Sequence, residues 1–157
     1  MHKLVVGAVA VALLASGCST PPPSDEMIGP NWQIVSLNTQ PSSPDVLPAS
    51  AAGAAHIVFG QATISGNTGC GPLQGAVSFT KDGKDTPARE ATEMTMKKIE
   101  FREPGECEGG PKFVHDSMER FFVVDASYAI KRLNDTEIIL TKTSDAVDQP
   151  SMRLMAQ

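Results

Sequence analysis

Ser127-Tyr128-Ala129-Ile130-Lys131-Arg132-Leu133-Asn134-Asp135-Thr136-Glu137-Ile138-Ile139-Leu140-Thr141-Lys142-Thr143 is the stretch that decides the fold class. Two strand-like runs, Ser127–Leu133 and Glu137–Thr143, flank Asn134-Asp135, a pair suited to a tight turn, so the segment reads as a β-hairpin. Similar short runs bounded by Gly, Pro, Asn or Asp recur outward from it at Asn31–Leu37, His56–Phe59, Ala62–Ser65, Gly75–Thr80, Thr92–Phe101 and Ser151–Met155. In Thr92–Phe101 the apolar alternation holds Met94 and Met96 on one face, then changes parity at Lys97-Lys98 to continue with Ile99 and Phe101. One extra residue there, a β-bulge, accounts for the change.

A single segment has the other periodicity. After Gly109-Gly110, Pro111 sits at a first helical position, and Val114, Met118 and Phe121 follow at i, i+4 and i+7, with Phe113 and Phe122 widening the stripe. Asp116 and Arg120 are expected as i, i+4 partners on the wetter side. The expected architecture is α+β: a curved, partly closed antiparallel sheet of about eight short strands, packed with one amphipathic helix that buries its apolar face. Trp32, early in the first strand, reads as a core anchor.

The chain has 157 residues, which suits one domain, and a formal net charge of -5. That balance disfavours a protein whose affinity depends on neutralising phosphates, so no nucleic-acid partner is expected. At the N-terminus, Met1-His2-Lys3 is a short basic region, followed by an apolar run from Leu4 to Leu14. As a helix this run would rise only about 16 Å, too little for a bilayer core of about 30 Å, and it reads as a signal peptide over residues 1–17. Leu13-Leu14-Ala15-Ser16-Gly17-Cys18 resembles a bacterial lipobox, which implies acylation of Cys18 with lipid chains such as palmitate. Two or three chains make such anchoring stable. Residues 18–29, with Pro21-Pro22-Pro23, read as an extended tether, and residues 30–157 as the folded domain. Pro41–Ala55, rich in Pro, Ser and Ala, reads as a surface loop or flexible insertion. The expected location is the cell membrane or outer membrane, with the domain on the extracytoplasmic side.

In an oxidising compartment the two remaining cysteines, Cys70 and Cys107, are expected to form a structural disulfide, with a loop-closure effect of about 4 kcal/mol. A redox-active pair normally has closer spacing. A thiolate metal site would need further ligands, and outside the signal peptide only His56 and His115 are available, neither in a recognised spacing.

Trp32 in a first strand, Ser65-Gly66 and Gly69-Cys70 after a hairpin, and Leu73–Gly75 entering another strand form the first half of an ordered pattern. Cys107 before a helix ending in Phe121-Phe122, then Tyr128-Ala129-Ile130 and Ile138-Ile139-Leu140, complete it. The order resembles the META/HslJ-like domain over nearly all of residues 31–157. The chain departs from the family pattern in Gly71, where Asn is usual, and in the charged loop Arg102–Glu108 that leads to the second cysteine. The resemblance implies a small α+β domain with a curved antiparallel sheet and a helix, pairing of Cys70 with Cys107, frequent occurrence as an envelope lipoprotein, and association with stress responses. It brings no established catalytic residues.

The sequence carries few motifs of catalysis or cofactor binding. Gly66-Asn67-Thr68-Gly69-Cys70-Gly71 lacks the Lys-Ser/Thr end of a phosphate-binding loop, and no Gly-x-Ser-x-Gly elbow occurs. His115 and Asp116 are sequence neighbours, about 100° apart on a helix, and His115 reads as a solvated helix residue, His56 as a strand-edge residue. Glu103, Glu106 and Glu108 around Cys107, and Asp82 with Asp85, lack EF-hand spacing and read as solvated charge. No catalytic residue, metal site or cofactor is assigned. The expected function is a non-enzymatic role in binding an envelope component, or in envelope stress, through the membrane-anchored domain. The alternative is a carrier that holds a small hydrophobic ligand in the barrel interior, which needs a cavity of about 300 Å³ or more. An unrecognised hydrolase would require His115 or His56 within reach of a Ser or carboxylate in a cleft.

Overall fold

Nine antiparallel strands form one continuous sheet in the computed structural model, which describes residues 26–40 and 46–157. The strands are β1 (Trp32–Asn38), β2 (His56–Phe59), β3 (Thr63–Asn67), β4 (Pro72–Lys81), β5 (Lys84–Asp85), β6 (Glu93–Phe101), β7 (Ser127–Asn134), β8 (Glu137–Lys142) and β9 (Ser151–Ala156). One α-helix, α1 (Gly109–Phe121), joins β6 to β7. The signal-peptide run, Cys18 and the Pro-rich stretch lie outside the described residues.

The order β3-β2-β1-β9-β8-β7-β6-β4-β5 has a further pairing of β3 with β4, which closes eight strands into a barrel and leaves the two-residue β5 as an outgrowth of β4. The sheet is therefore fully closed, where the sequence suggests partial closure. The physical cause is the short turn after Asn67: it returns the chain so directly that Asn67 faces Pro72 and Thr63 faces Ala76, while the ten-residue β4 also pairs with β6 along its length. Bulges supply the bend that closure needs. Ala76 opposes Lys98 and Val77 opposes Met96, so Lys97 is the extra residue, at the place where the alternation changes parity. Register shifts of the same kind fall between Ile34 and Ser36 and between Arg132 and Asn134.

Inward-facing side chains fill the barrel. Trp32, Ile34, Phe59, Ile64, Met94, Met96, Leu140, Met152 and Leu154 are all fully buried within one apolar cluster. Each such side chain stabilises the fold by roughly 1.5–3 kcal/mol relative to exposure.

The two ends of the barrel are closed differently. At one end lies α1, whose Val114, Met118 and Phe121 are buried as the i, i+4, i+7 pattern predicts. The rings of Phe121 and Phe122 pack against Tyr128, with centroids 5.1 and 5.8 Å away. The 3₁₀ turn Ala49–Ala51 packs beside the helix so closely that a Cβ on Gly110 would come within 2.2 Å of Ser50 Oγ. The second half of the Pro/Ser/Ala-rich stretch is thus docked, with Ala51 and Ala55 buried, and is not a loose insertion. Residues 41–45 lie outside the described residues.

The other end is closed by polar side chains gripping backbone. Arg132 donates to the carbonyls of Ala91, at 2.7 Å, and Ala88, at 2.5 Å. Trp32 Nε1 donates to the carbonyl of Met27 at 2.9 Å, and Ile28 bridges to Phe59. Met27 is buried, so the packed domain starts a few residues before Pro30 and takes in the end of the expected tether.

Candidate functional site

The most ordered polar cluster sits where the β3–β4 turn meets α1. The turn Thr68-Gly69-Cys70-Gly71 is built around the Thr68 hydroxyl, which accepts from the backbone N–H of Cys70 and of Gly71, each at 3.2 Å. Asn67 Oδ1 accepts from Gly69 N–H at 2.8 Å. Short polar side chains that bond to nearby backbone favour turns of this kind. Gly69 has φ +91°, a conformation that glycine adopts without steric cost.

Cys70 is bonded to Cys107 with Cα atoms 5.6 Å apart, joining this turn to the loop that leads into α1. The disulfide expected from the sequence is present. Around it Glu103, Glu106 and Glu108 are exposed.

His115 stands on the helix directly behind the turn and is 1% exposed, with Thr68 at 0%. It is not the solvated helix residue expected from the sequence. The spacing His115, Met118, Phe122 continues the apolar stripe, and that periodicity is the signal for its burial. Its ring contacts Phe101 edge-on, with centroids 6.0 Å apart. Nδ1 lies 2.8 Å from Thr68 Oγ1. The direction of this bond follows the ring tautomer, because the Thr68 hydroxyl has the Gly71 carbonyl, 3.1 Å away, as a second acceptor for its proton.

Nε2 has no hydrogen-bond partner although it is buried, and Glu119 Oε1 is 3.5 Å away. Asp116 completes a group in which one donor atom from each of His115, Asp116 and Glu119 lies within 4.8 Å of the others. Asp116 pairs with Lys112 Nζ at 2.6 Å, one turn back, and Arg120 donates to Ser117 Oγ at 3.0 Å, so the expected Asp116–Arg120 pair is replaced by two other contacts within the helix.

Thr68, His115 and Glu119 form a hydroxyl–imidazole–carboxylate series, the residue types of a nucleophile relay. Its geometry is that of a staple. The Thr68 hydroxyl is fully enclosed and engaged with its own turn, so it presents no oxygen to a cleft. His56 is half-buried at the start of β2, opposite Gln33 and Asn67.

Two further groups complete this end of the molecule. Tyr128 donates to the Phe121 carbonyl at 2.7 Å and accepts from Val123 N–H at 3.2 Å. Burial pushes its phenol up to about 12, with the Val123 bond opposing that shift. Lys142 reaches the carbonyl of Arg120 at 3.3 Å near the helix C-terminus, where a cation is favoured, and burial pulls its ammonium below the usual lysine range.

On the outer wall, Thr63, Ser65, Lys98 and Glu100 help line an open groove of about 320 Å³. Hydrogen bonds from Lys98 and Gln74 hold the Glu100 carboxyl below its usual range. The sequence alone does not mark Thr68 or Arg132. Their roles depend on carbonyls, amides and a ring brought from distant parts of the chain. No protein-family description, curated protein or solved structure matches this chain.

Proposed function

We propose that this chain is a lipid-anchored cell-envelope protein, held by acylated Cys18, whose META/HslJ-like domain faces the extracytoplasmic side and works by binding and not by catalysis. The observation that carries this reading is the Cys70–Cys107 disulfide. Such bonds persist in oxidising compartments and are rare in the cytosol, which agrees with the signal-peptide and lipobox character of residues 1–18. An envelope-stress role is the part of the proposal that comes from the family resemblance.

The binding surface is assigned to loops, which a rigid barrel holds in place. The exposed loop around Cys107, with Glu103, Glu106 and Glu108, suits a partner of basic character. The carrier alternative needs interior space, and Trp32, Phe59, Met94, Met96 and Leu154 occupy the middle of the barrel. Any small ligand is therefore assigned to the outside.

Mass spectrometry of the protein from bacterial membranes tests the anchor. The expected result is a diacylglyceryl adduct on Cys18 and a shift of the C18S variant to the soluble fraction. Unmodified Cys18 in membrane-derived material overturns the anchor. Pull-down with a variant carrying E103Q, E106Q and E108Q tests the surface, and undiminished partner recovery counts against that loop.

A further inference from the structure

We propose that His115, Asp116 and Glu119 form a binding site for a divalent transition-metal cation, with zinc the best-suited occupant. Two independent observations support it. One nitrogen and two carboxylate donors from one helix lie within 4.8 Å of one another. The nitrogen among them, His115 Nε2, is buried without a hydrogen-bond partner and is aimed at Glu119. A buried polar atom left unbonded is destabilising, and coordination removes that cost.

The chemistry of the set selects the ion. Imidazole nitrogen suits zinc and its neighbours, whereas calcium and magnesium prefer oxygen alone. Three protein ligands leave a fourth tetrahedral position for water. The side chains of Asp116 and Glu119 are 36% and 49% exposed, so the cation enters from solvent with His115 as the floor of the site.

The surroundings accommodate the tautomer that coordination demands. Metal on Nε2 requires the ring proton on Nδ1, which then donates to Thr68 Oγ1. The hydroxyl turns its own proton to the Gly71 carbonyl, 3.1 Å away. The ring stays neutral, with its one proton on Nδ1 and the Nε2 lone pair free for the metal. A second hydrogen bond of this type is what fixes metal-binding histidines elsewhere. The competitor is Lys112, whose ammonium already holds Asp116 Oδ1 at 2.6 Å.

The test is calorimetric titration of the full-length protein in detergent, stripped of metal, with zinc chloride, and with cobalt(II) as a spectroscopic probe. The expected result is one-to-one binding. H115N keeps an acceptor near Thr68 in place of Nδ1 but lacks Nε2, and it should weaken zinc binding at least ten-fold, as should E119Q. K112Q should strengthen it and H56Q should leave it unchanged. No saturable binding up to about millimolar zinc overturns the site. So does binding as tight in H115N and E119Q as in the native protein, or calcium bound as tightly as zinc. If H115N does not fold, nitrogen-15 NMR of the native protein decides: zinc should move the His115 Nε2 resonance, and a response confined to other histidines overturns the proposal. None of these readouts depends on the lipid anchor or on a protein partner.

Discussion

The two ends of the barrel solve one problem by different means. At the helix end, closure is covalent and apolar: the disulfide fixes the β3–β4 turn to the loop before α1, and Met118, Phe121 and Phe122 fill the opening. At the opposite end Arg132 and Trp32 hold backbone carbonyls of Ala88, Ala91 and Met27. The first end resists opening because its unfolded alternatives are restricted. The second resists because opening it takes side-chain donors away from the carbonyls of Ala88, Ala91 and Met27. Stability at the helix end should therefore respond to redox state, and at the Arg132 end to single side-chain truncation.

The largest effect is expected from the double variant C70A/C107A, which should lose about 4 kcal/mol in denaturant unfolding. Hydrogen exchange should show the loss first in α1 and the β3–β4 turn, with the β7–β8 hairpin still protected. Equal acceleration throughout would erase the distinction between the ends. Next, R132M should cost about 2–3 kcal/mol, because two carbonyls lose a charged donor, and exchange should quicken around Ala88–Ala91 while α1 stays protected.

Y128F should cost about 1 kcal/mol at neutral pH by removing the bonds to Phe121 and Val123. It also changes the alkaline profile. The Tyr128 phenol is raised from 10.0 to about 12 in the fold, so its contribution is intact below about pH 10 and is lost as pH rises towards 12. The native protein should lose roughly 1.4 kcal/mol per pH unit in that window from this group, and Y128F should lack that slope. The smallest effect is expected from K112Q, which breaks a half-exposed i, i+4 ion pair and should shift stability by less than about 0.5 kcal/mol.

These contrasts also show what the sequence can carry. The eight barrel strands, the bulge at Lys97 and the apolar stripe of α1 are legible because each is a local periodicity, of two or of 3.6 residues, interrupted at readable places. Closure between β3 and β4 is less legible, since the same strands fit an open or a closed sheet until their register is known. The disulfide follows from compartment and count. The polar contacts resist sequence reading altogether. Thr68 meets His115 across 47 positions and Arg132 meets Ala88 across 44, and nothing in either neighbourhood announces the other partner. His115 is the intermediate case: the helical stripe that buries Met118 and Phe122 also passes through it, yet its chemical type suggests water.

The chain enters the barrel through Met27 and Trp32, at the pole away from α1. The helix, the disulfide and the His115 cluster lie on the hemisphere away from that entry point. In the lipid-anchored protein proposed above, a ligand or partner of the His115 cluster would therefore meet the domain at the pole opposite the one where the chain enters it.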